Sequence, residues 1–158
     1  MKVEFINPFV TATINVVSTT LGCELTRGNL RTRDQSQPEH DVSALLHVSG
    51  AARGTLLLGL SREVALAVAE KVLRRKQIEI NADVLSSADR LMRQIAVEAM
   101  SRLSDLKIAV GSPSVICGHN HVIECPENTR PLCVPFECEW GSMTLEAGLV
   151  ECAVLAGV

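Results

Sequence analysis

Residues 83–106, DVLSSADRLMRQIAVEAMSRLSDL, decide the fold because they form the longest uninterrupted helical pattern in the chain. At about 100° per residue, the apolar side chains gather on one side of the helix, which predicts a face packed against a core. This face carries Ala88, Leu91, Met92, Ile95, Ala99 and Leu106. The opposite side carries a row spaced i, i+4, i+7, i+11 that must point outward. This row, called the outward row below, consists of Ser86, Arg90, Arg93 and Val97.

The composition predicts one folded domain that spans residues 1–158, because 47% of the residues are hydrophobic and 21% are charged. The formal net charge of −3 argues against a general nucleic-acid or membrane-surface binder, since both need a basic surface. One Trp and no Tyr leave few aromatic platforms for stacking on single-stranded nucleic acid. We therefore expect neither nucleic acid nor a membrane as a partner.

The first residues, MKVEFINPF, lack the apolar segment of a signal peptide, and no run approaches the roughly 18 apolar residues that a membrane span needs. These features predict a cytoplasmic protein. The six cysteines are scattered and form no C-x-x-C motif, so we expect reduced, buried residues that act as small hydrophobes. They are Cys23, Cys117, Cys125, Cys133, Cys138 and Cys152.

Local signals predict an α+β fold in which helices pack on one face of a mostly antiparallel sheet. Asn7 as the cap and Pro8 at the first position predict a helix over 8–21. Strands are predicted at VSALLHVSG, residues 42–50, and GTLLLGLS, residues 54–61, and Ser61 caps a second helix. Asn81 or Asp83 caps the helix that carries the outward row. The short apolar runs after residue 106 predict an antiparallel meander.

Few chemical motifs stand out. Cys117, His119 and His121 alternate at strand spacing and could offer three metal ligands, but they lie too close together for a typical tetrahedral zinc site. Gly118-His119-Asn120 is also a natural hairpin tip, so we predict no metal there. Nucleophile-elbow, zinc-protease, dinucleotide and P-loop motifs are absent from the sequence.

Several segments in a characteristic order indicate a family. They are FINPFVTATINVV at 5–17, DVSALLHVSGAARGTLLLGLS at 41–61, EINADVLSSADRLMRQIAVEAMSRL at 79–103, then residues 113–115, 118–121 and 135–137. In these segments the chain resembles the chemotaxis phosphatase family that contains CheX, CheC and FliY, and CheX most of all. The resemblance implies a CheC-like α+β fold, a homodimer, and removal of the phosphoryl group from a phosphorylated CheY-type response regulator. It implies no cofactor in this chain, because the response regulator supplies the metal.

The family places its chemistry on the exposed face of the central helix. Its signature is an acidic residue or Ser, then three residues to a Glu, two to an Asn, and a Gly four residues after the Asn. The resemblance implies that the Glu pairs with a lysine of the response regulator and that the Asn amide orients the attacking water.

The outward row of this chain departs from that signature. Ser86 keeps the first position, but Arg90 stands at the Glu position, Arg93 at the Asn position and Val97 at the Gly position. A guanidinium group cannot accept a hydrogen bond, and Arg90 would repel a lysine. The sequence contains a literal E-x-x-N only at Glu4–Asn7, a segment in which the family has similar residues without this role.

Three functional hypotheses follow. The first is a catalytically degenerate CheX-like domain that binds a CheY-type response regulator as a homodimer, through Ser86, Asp89, Arg90, Arg93, Gln94 and Val97. The second is an active aspartyl-phosphate phosphatase whose divergent site uses Ser86, Asp89 or Gln94. The third is a structural homodimer without a receiver partner. In each hypothesis the chain itself carries no metal.

Overall fold

The computed structural model describes residues 3–33, 39–103, 105–118, 126 and 129–152, with side chains from residue 5 onward. Its helices are α1 (Val3–Leu21), α2 (Arg62–Leu73) and α3 (Ala82–Arg102). Its strands are β1 (Thr26–Arg27), β2 (Arg31–Thr32), β3 (Val42–Gly50), β4 (Ala52–Leu60), β5 (Ile108–Val110), β6 (Ser114–Cys117), β7 (Leu132–Cys138) and β8 (Gly141–Glu151).

The strands form one sheet of eight strands in the order β1-β7-β8-β4-β3-β5, with β2 also beside β7 and β6 also beside β3. All described pairings are antiparallel, which confirms the predicted α+β architecture. The predicted meander is wrong, because β5 and β6 do not pair with each other. Instead they pair with the two ends of β3, and β7 and β8 form a hairpin beside β4.

The core lies between the helices and one face of the sheet. Alternate residues of β3 and β4, such as Leu46 and Leu56, belong to the same buried cluster as the apolar residues of all three helices. The register pairs Leu46 with Leu56, and Leu56 with Ala147 of β8, so apolar side chains of neighbouring strands line up on this face. The prediction that the helices cover one face of the sheet is confirmed.

Two helix starts agree with their predicted caps. The Ser61 side chain accepts a hydrogen bond from the Val64 amide at 3.3 Å, and the Asn81 side chain accepts one from the Val84 amide at 3.1 Å. Each bond satisfies an amide of the first turn that has no partner within the helix. Asn81, and not Asp83, is therefore the cap of α3.

The start of α1 and the end of α3 differ from the prediction. Helix α1 begins at Val3, so Asn7 is not its cap and Pro8 lies inside the helix. Pro8 removes only one backbone hydrogen bond near the start of the helix, and the burial of Phe5 and Ile6 holds this segment against the core. Helix α3 ends at Arg102, so Leu106 lies beyond it and is half-buried.

The described cysteines are all free thiols, and they differ in exposure. Cys23 and Cys133 are buried, as predicted, whereas Cys138 and Cys152 are intermediate. The prediction of burial is wrong for Cys117, which is exposed at the end of the short edge strand β6. Cys125 lies outside the described residues. None of the helices in the described part of the chain has the length and hydropathy of a membrane-spanning segment.

We predict a large difference between two substitutions that lie two residues apart on α3. Ile95 is completely buried, so Ile95→Ala should lower the free energy of unfolding by about 2–5 kcal/mol. Val97 is 74% exposed, so Val97→Ala should change it by less than about 0.5 kcal/mol. Urea denaturation of both variants measures the difference. Equal losses would contradict the orientation of α3.

Candidate functional site

The outward row lies where the helical period predicts. Ser86, Arg90, Arg93 and Val97 are all exposed, while Leu91 and Ile95, between them in sequence, are buried in the core. Packing of the apolar face fixes the rotation of α3 about its axis, and this rotation turns the row to the solvent. Val97 is among the few large hydrophobic residues that the described structure exposes, at 74%. An exposed apolar residue beside two guanidinium groups suits a contact surface.

The two arginines of the row have different surroundings. The Arg93 Nε donates to the Asp89 carboxylate at 2.8 Å, an i, i+4 pair on the helix surface. Such exposed pairs contribute only about 0.3–0.5 kcal/mol, so this pair orients Arg93 more than it stabilises α3. Arg90 is exposed and has no ion pair with any residue that the structure describes. Arg90 is therefore the side chain of the row that is available to a ligand.

A groove lies on one side of the row, between α3 and the segment that joins β5 to β6. Its volume is about 610 Å³, and its surface is mostly apolar. The lining residues are Arg93, Ala96, Val97, Met100, Val110, Gly111, Ser112 and Pro113. We call it the apolar groove. An apolar surface rimmed by a guanidinium group has the character of a protein-binding site.

A smaller depression lies on the other side of the row, where the C-terminal ends of α1 and α2 meet the middle of α3. Its volume is about 200 Å³. The lining residues are Thr20, Leu21, Lys71, Val72, Arg74, Arg90, Leu91 and Gln94. We call it the basic pocket, because Lys71, Arg74 and Arg90 bring three positive charges to it and no lining residue is acidic.

The six residues that the sequence analysis predicted for partner binding therefore divide into groups. Arg93 and Val97 face the apolar groove, whereas Arg90 and Gln94 face the basic pocket. Ser86 and Asp89 line neither depression, and Asp89 is engaged by Arg93. The structure does not bring Asp89 and Gln94 together on one groove.

A second charged group lies on the opposite face of the sheet, away from the helices. Arg31 of β2 pairs in register with Cys133 of β7, which pairs in turn with Glu146 of β8. The side chain of Arg33 approaches that of Glu146, with Nε and Oε2 3.0 Å apart, and each is only 3% exposed. Arg31 donates two hydrogen bonds to the carboxylate of Glu39, at 2.6 and 2.7 Å. We call these five residues the ionic cluster.

Glu39, Cys133 and Glu146 could in principle hold a metal, since one ligand atom of each lies within 4.8 Å of the others. The two carboxylates, however, already face the guanidinium groups of Arg31 and Arg33. Burial raises the pKa of the Cys133 thiol to about 12, so it stays protonated at neutral pH. The arrangement fits a network of ion pairs rather than a cation site.

The ionic cluster was not predicted, although two signals in the sequence point to it. Glu146 is a single carboxylate within the apolar run MTLEAGLV, and such a residue needs a buried partner if the strand is covered on both faces. Arg31 and Arg33 alternate at strand spacing, so they share one face of the sheet. Cys117 lies at the end of β6, whereas His119 and His121 lie outside the described residues.

Comparisons with known proteins agree on one group. The family described as chemotaxis phosphatase CheX matches residues 42–137, more than half of the chain. No curated protein sequence matches this chain. A CheC-like superfamily protein from Shewanella sp. PV-4 is 27% identical, with a TM-score of 0.85 over 95% of this chain and 99% of that one. The chemotaxis protein CheX from Desulfovibrio desulfuricans is 27% identical, with a TM-score of 0.81 over 94% and 99%.

A third similar structure is a complex. In the CheX–CheY–BeF₃–Mg²⁺ complex from Borrelia burgdorferi, the matched chain is 20% identical to this one, with a TM-score of 0.79 over 95% of this chain and 100% of that one. At this identity the similarity shows a shared fold.

The buried ion pair generates a prediction about stability. Arg33→Met leaves the Glu146 carboxylate buried without this cation, and loss of one partner of a buried pair costs about 3–5 kcal/mol. The double variant Arg33→Met with Glu146→Met should lose much less, because no charge is stranded. Arg75→Ala is the control, since Arg75 pairs with Asp83 on the surface and its loss should cost less than about 1 kcal/mol. Urea denaturation measures the free energy of unfolding of each variant. A double variant less stable than Arg33→Met would contradict the prediction.

The Arg31–Glu39 pair predicts a dependence on pH. Its hydrogen bonds hold the pKa of Glu39 below the ordinary value of 4.5. A lowered carboxyl pKa adds stability above pH 4.5, and this stability is lost as the pH falls through the pKa of the folded protein. Glu39→Gln should therefore destabilise the protein at pH 7, and the gap to the natural chain should close on acidification. Denaturation at pH 7, 5 and 3.5 measures the gap; a constant gap would contradict the role of this pair.

Proposed function

The chain belongs to the CheX family of chemotaxis phosphatases, and from this premise we propose that it binds the receiver domain of a CheY-type response regulator without dephosphorylating it. The observation that carries the proposal is the pair of arginines, Arg90 and Arg93, which occupy the Glu and Asn positions of the family signature on an exposed helix face. The proposal includes the homodimer that the resemblance implies and the cytoplasmic location that the sequence predicts.

The outward row and the apolar groove together form the surface that we assign to the receiver. Val97, Met100 and Pro113 supply apolar area, and Arg93 supplies charge at the rim. Protein interfaces commonly combine an apolar centre with a polar rim in which Arg is enriched. The Borrelia burgdorferi relative, which shares the fold, was solved in complex with CheY, BeF₃ and Mg²⁺. This complex supports a receiver as the partner.

The chemistry of arginine separates binding from hydrolysis. Attack on an aspartyl phosphate needs a water that is oriented by a hydrogen-bond acceptor, as well as in-line geometry. A guanidinium group has five donors and no acceptor, so neither arginine can replace the carbonyl oxygen of an Asn side chain. The same donors bind carboxylate and phosphoryl oxygens well. The row therefore suits recognition of an acidic or phosphorylated surface.

The divergent phosphatase is the second candidate, and two observations weigh against it. It needs a carboxylate and an amide that converge on one water, for which Asp89 and Gln94 are the available side chains. Asp89 accepts the hydrogen bond of Arg93 at 2.8 Å, and Gln94 faces the basic pocket instead. The structural homodimer has no specific observation in its favour.

The test measures binding and hydrolysis separately. A CheY-type receiver activated with BeF₃⁻ and Mg²⁺ should bind the chain in a calorimetric titration. Arg90→Ala should weaken binding at least about tenfold, because a charge-assisted hydrogen bond contributes about 1.5–3 kcal/mol. Arg53→Ala is the control, since Arg53 is an exposed arginine of β4 that lines neither the apolar groove nor the basic pocket. With phosphorylated receiver, phosphate release should not exceed the spontaneous rate.

Each other outcome selects a different hypothesis. No binding would favour the structural homodimer, and accelerated release that Asp89→Asn or Gln94→Ala abolishes would establish the divergent phosphatase. The triple variant Arg90→Glu, Arg93→Asn, Val97→Gly restores the family signature. It should gain phosphatase activity if the docking surface is intact. Circular dichroism must show that the triple variant is folded, because a Gly inside a helix lowers stability by about 1 kcal/mol.

A further inference from the structure

We infer that the basic pocket binds a small anion of the phosphate class, such as phosphate or pyrophosphate. This site needs no receiver, so it goes beyond the proposed function and can be tested on the chain alone. Three positive side chains reach it from two helices: Lys71 and Arg74 from the end of α2, and Arg90 from α3. The C-terminal end of α1 closes the third side.

The size and lining of the pocket suit such an anion. A volume of about 200 Å³ corresponds to about seven water molecules, enough for one or two phosphate groups. Thr20 and Gln94 add a hydroxyl and an amide that can donate hydrogen bonds to anionic oxygens. Guanidinium and ammonium groups that converge from different directions match the several oxygens of a phosphate better than one planar carboxylate.

Three carboxylates of α2 and α3 have partners other than the three cations of the pocket. Glu70 accepts a hydrogen bond from the backbone N–H of Gln77 at 3.1 Å, and Glu98 accepts one from the side-chain amide of Asn15 at 3.0 Å. Asp83 pairs with Arg75. Within the described residues, no ion pair neutralises any of the three cations that line the pocket.

Helix ends explain part of this charge but not all of it. The C-terminal ends of α1 and α2 each carry about half a negative charge, which favours nearby cations such as Lys71 and Arg74. Together these ends offset about one of the three positive charges. Arg90 lies in the middle of α3, so it caps neither end. The helix ends therefore leave part of the positive charge of the pocket unbalanced, which favours an anion as the ligand.

The backbone of Arg74 supplies an independent observation. Arg74 has a φ of 57° at the end of α2 and is the single non-glycine residue with positive φ among those described. Glycine is favoured at this left-handed position because a Cβ atom is strained there. Arg74 carries a strain that glycine would avoid, and we take its side chain as the reason that it stands there. Its side chain lines the basic pocket.

The test is a calorimetric titration of the chain with inorganic phosphate and with pyrophosphate, at an ionic strength held constant with sodium chloride. Saturable binding is expected for at least one of these anions. Lys71→Ala and Arg74→Gly should each weaken it about tenfold. Lys76→Ala, which removes an exposed charge outside the pocket, should change it less than twofold.

Arg74→Gly also separates loss of binding from loss of folding. Glycine relieves the left-handed strain, so this variant should be at least as stable as the natural chain while it binds the anion more weakly. Absence of saturable binding to both anions would overturn the inference. Equal weakening by Lys76→Ala would overturn it as well, because the effect would then come from overall charge. None of these results depends on a receiver, so they test the anion site independently of the proposed function.

Discussion

The packing of the apolar face of α3 against the sheet is the constraint on which the functional surface depends. Met92 and Ile95 are completely buried, and together they fix how α3 is rotated about its axis. A rotation by one residue, about 100°, would carry Arg90 or Arg93 toward the core and would cost several kcal/mol for the buried charge. The outward direction of the row is therefore set by the core, whatever residues the row contains. Substitutions on the row can change the chemistry without changing the fold.

The arginines on the far face of the sheet differ from Arg90 of α3 in how their charges are balanced. On the face away from the helices, Arg31 and Arg33 lie against the carboxylates of Glu39 and Glu146, so each charge is compensated. Beside the helices, Arg90 is uncompensated by any described carboxylate. A buried charge must be paired for the chain to fold, whereas an exposed charge can stay unpaired at little cost. In the ionic cluster each charge therefore depends on its partner, and the helical surface carries the charges that are available to ligands.

The sequence predicted those features whose signals are local. The buried face of α3, the caps Ser61 and Asn81 and the strand at 42–50 all follow from periodicity or from one turn of helix. The pairing of β5 and β6 with β3 could not be predicted, because the paired residues lie 58 to 75 positions apart in the sequence and a short strand carries little register information. The start of α1 was misjudged because Pro8 signals a boundary that tertiary packing overrides.

The same limit applies to the candidate site. Helical spacing and the family signature were enough to find the row. The basic pocket requires Lys71, Arg74 and Arg90 to meet across α2 and α3, which no spacing in the sequence predicts. Arg90 belongs to both the row and the pocket, so a receiver and an anion that both engage it would compete. By linkage, each would then lower the affinity of the other by the same factor. The position that the family signature gives to a Glu would in this chain connect receiver binding to the local concentration of an anion.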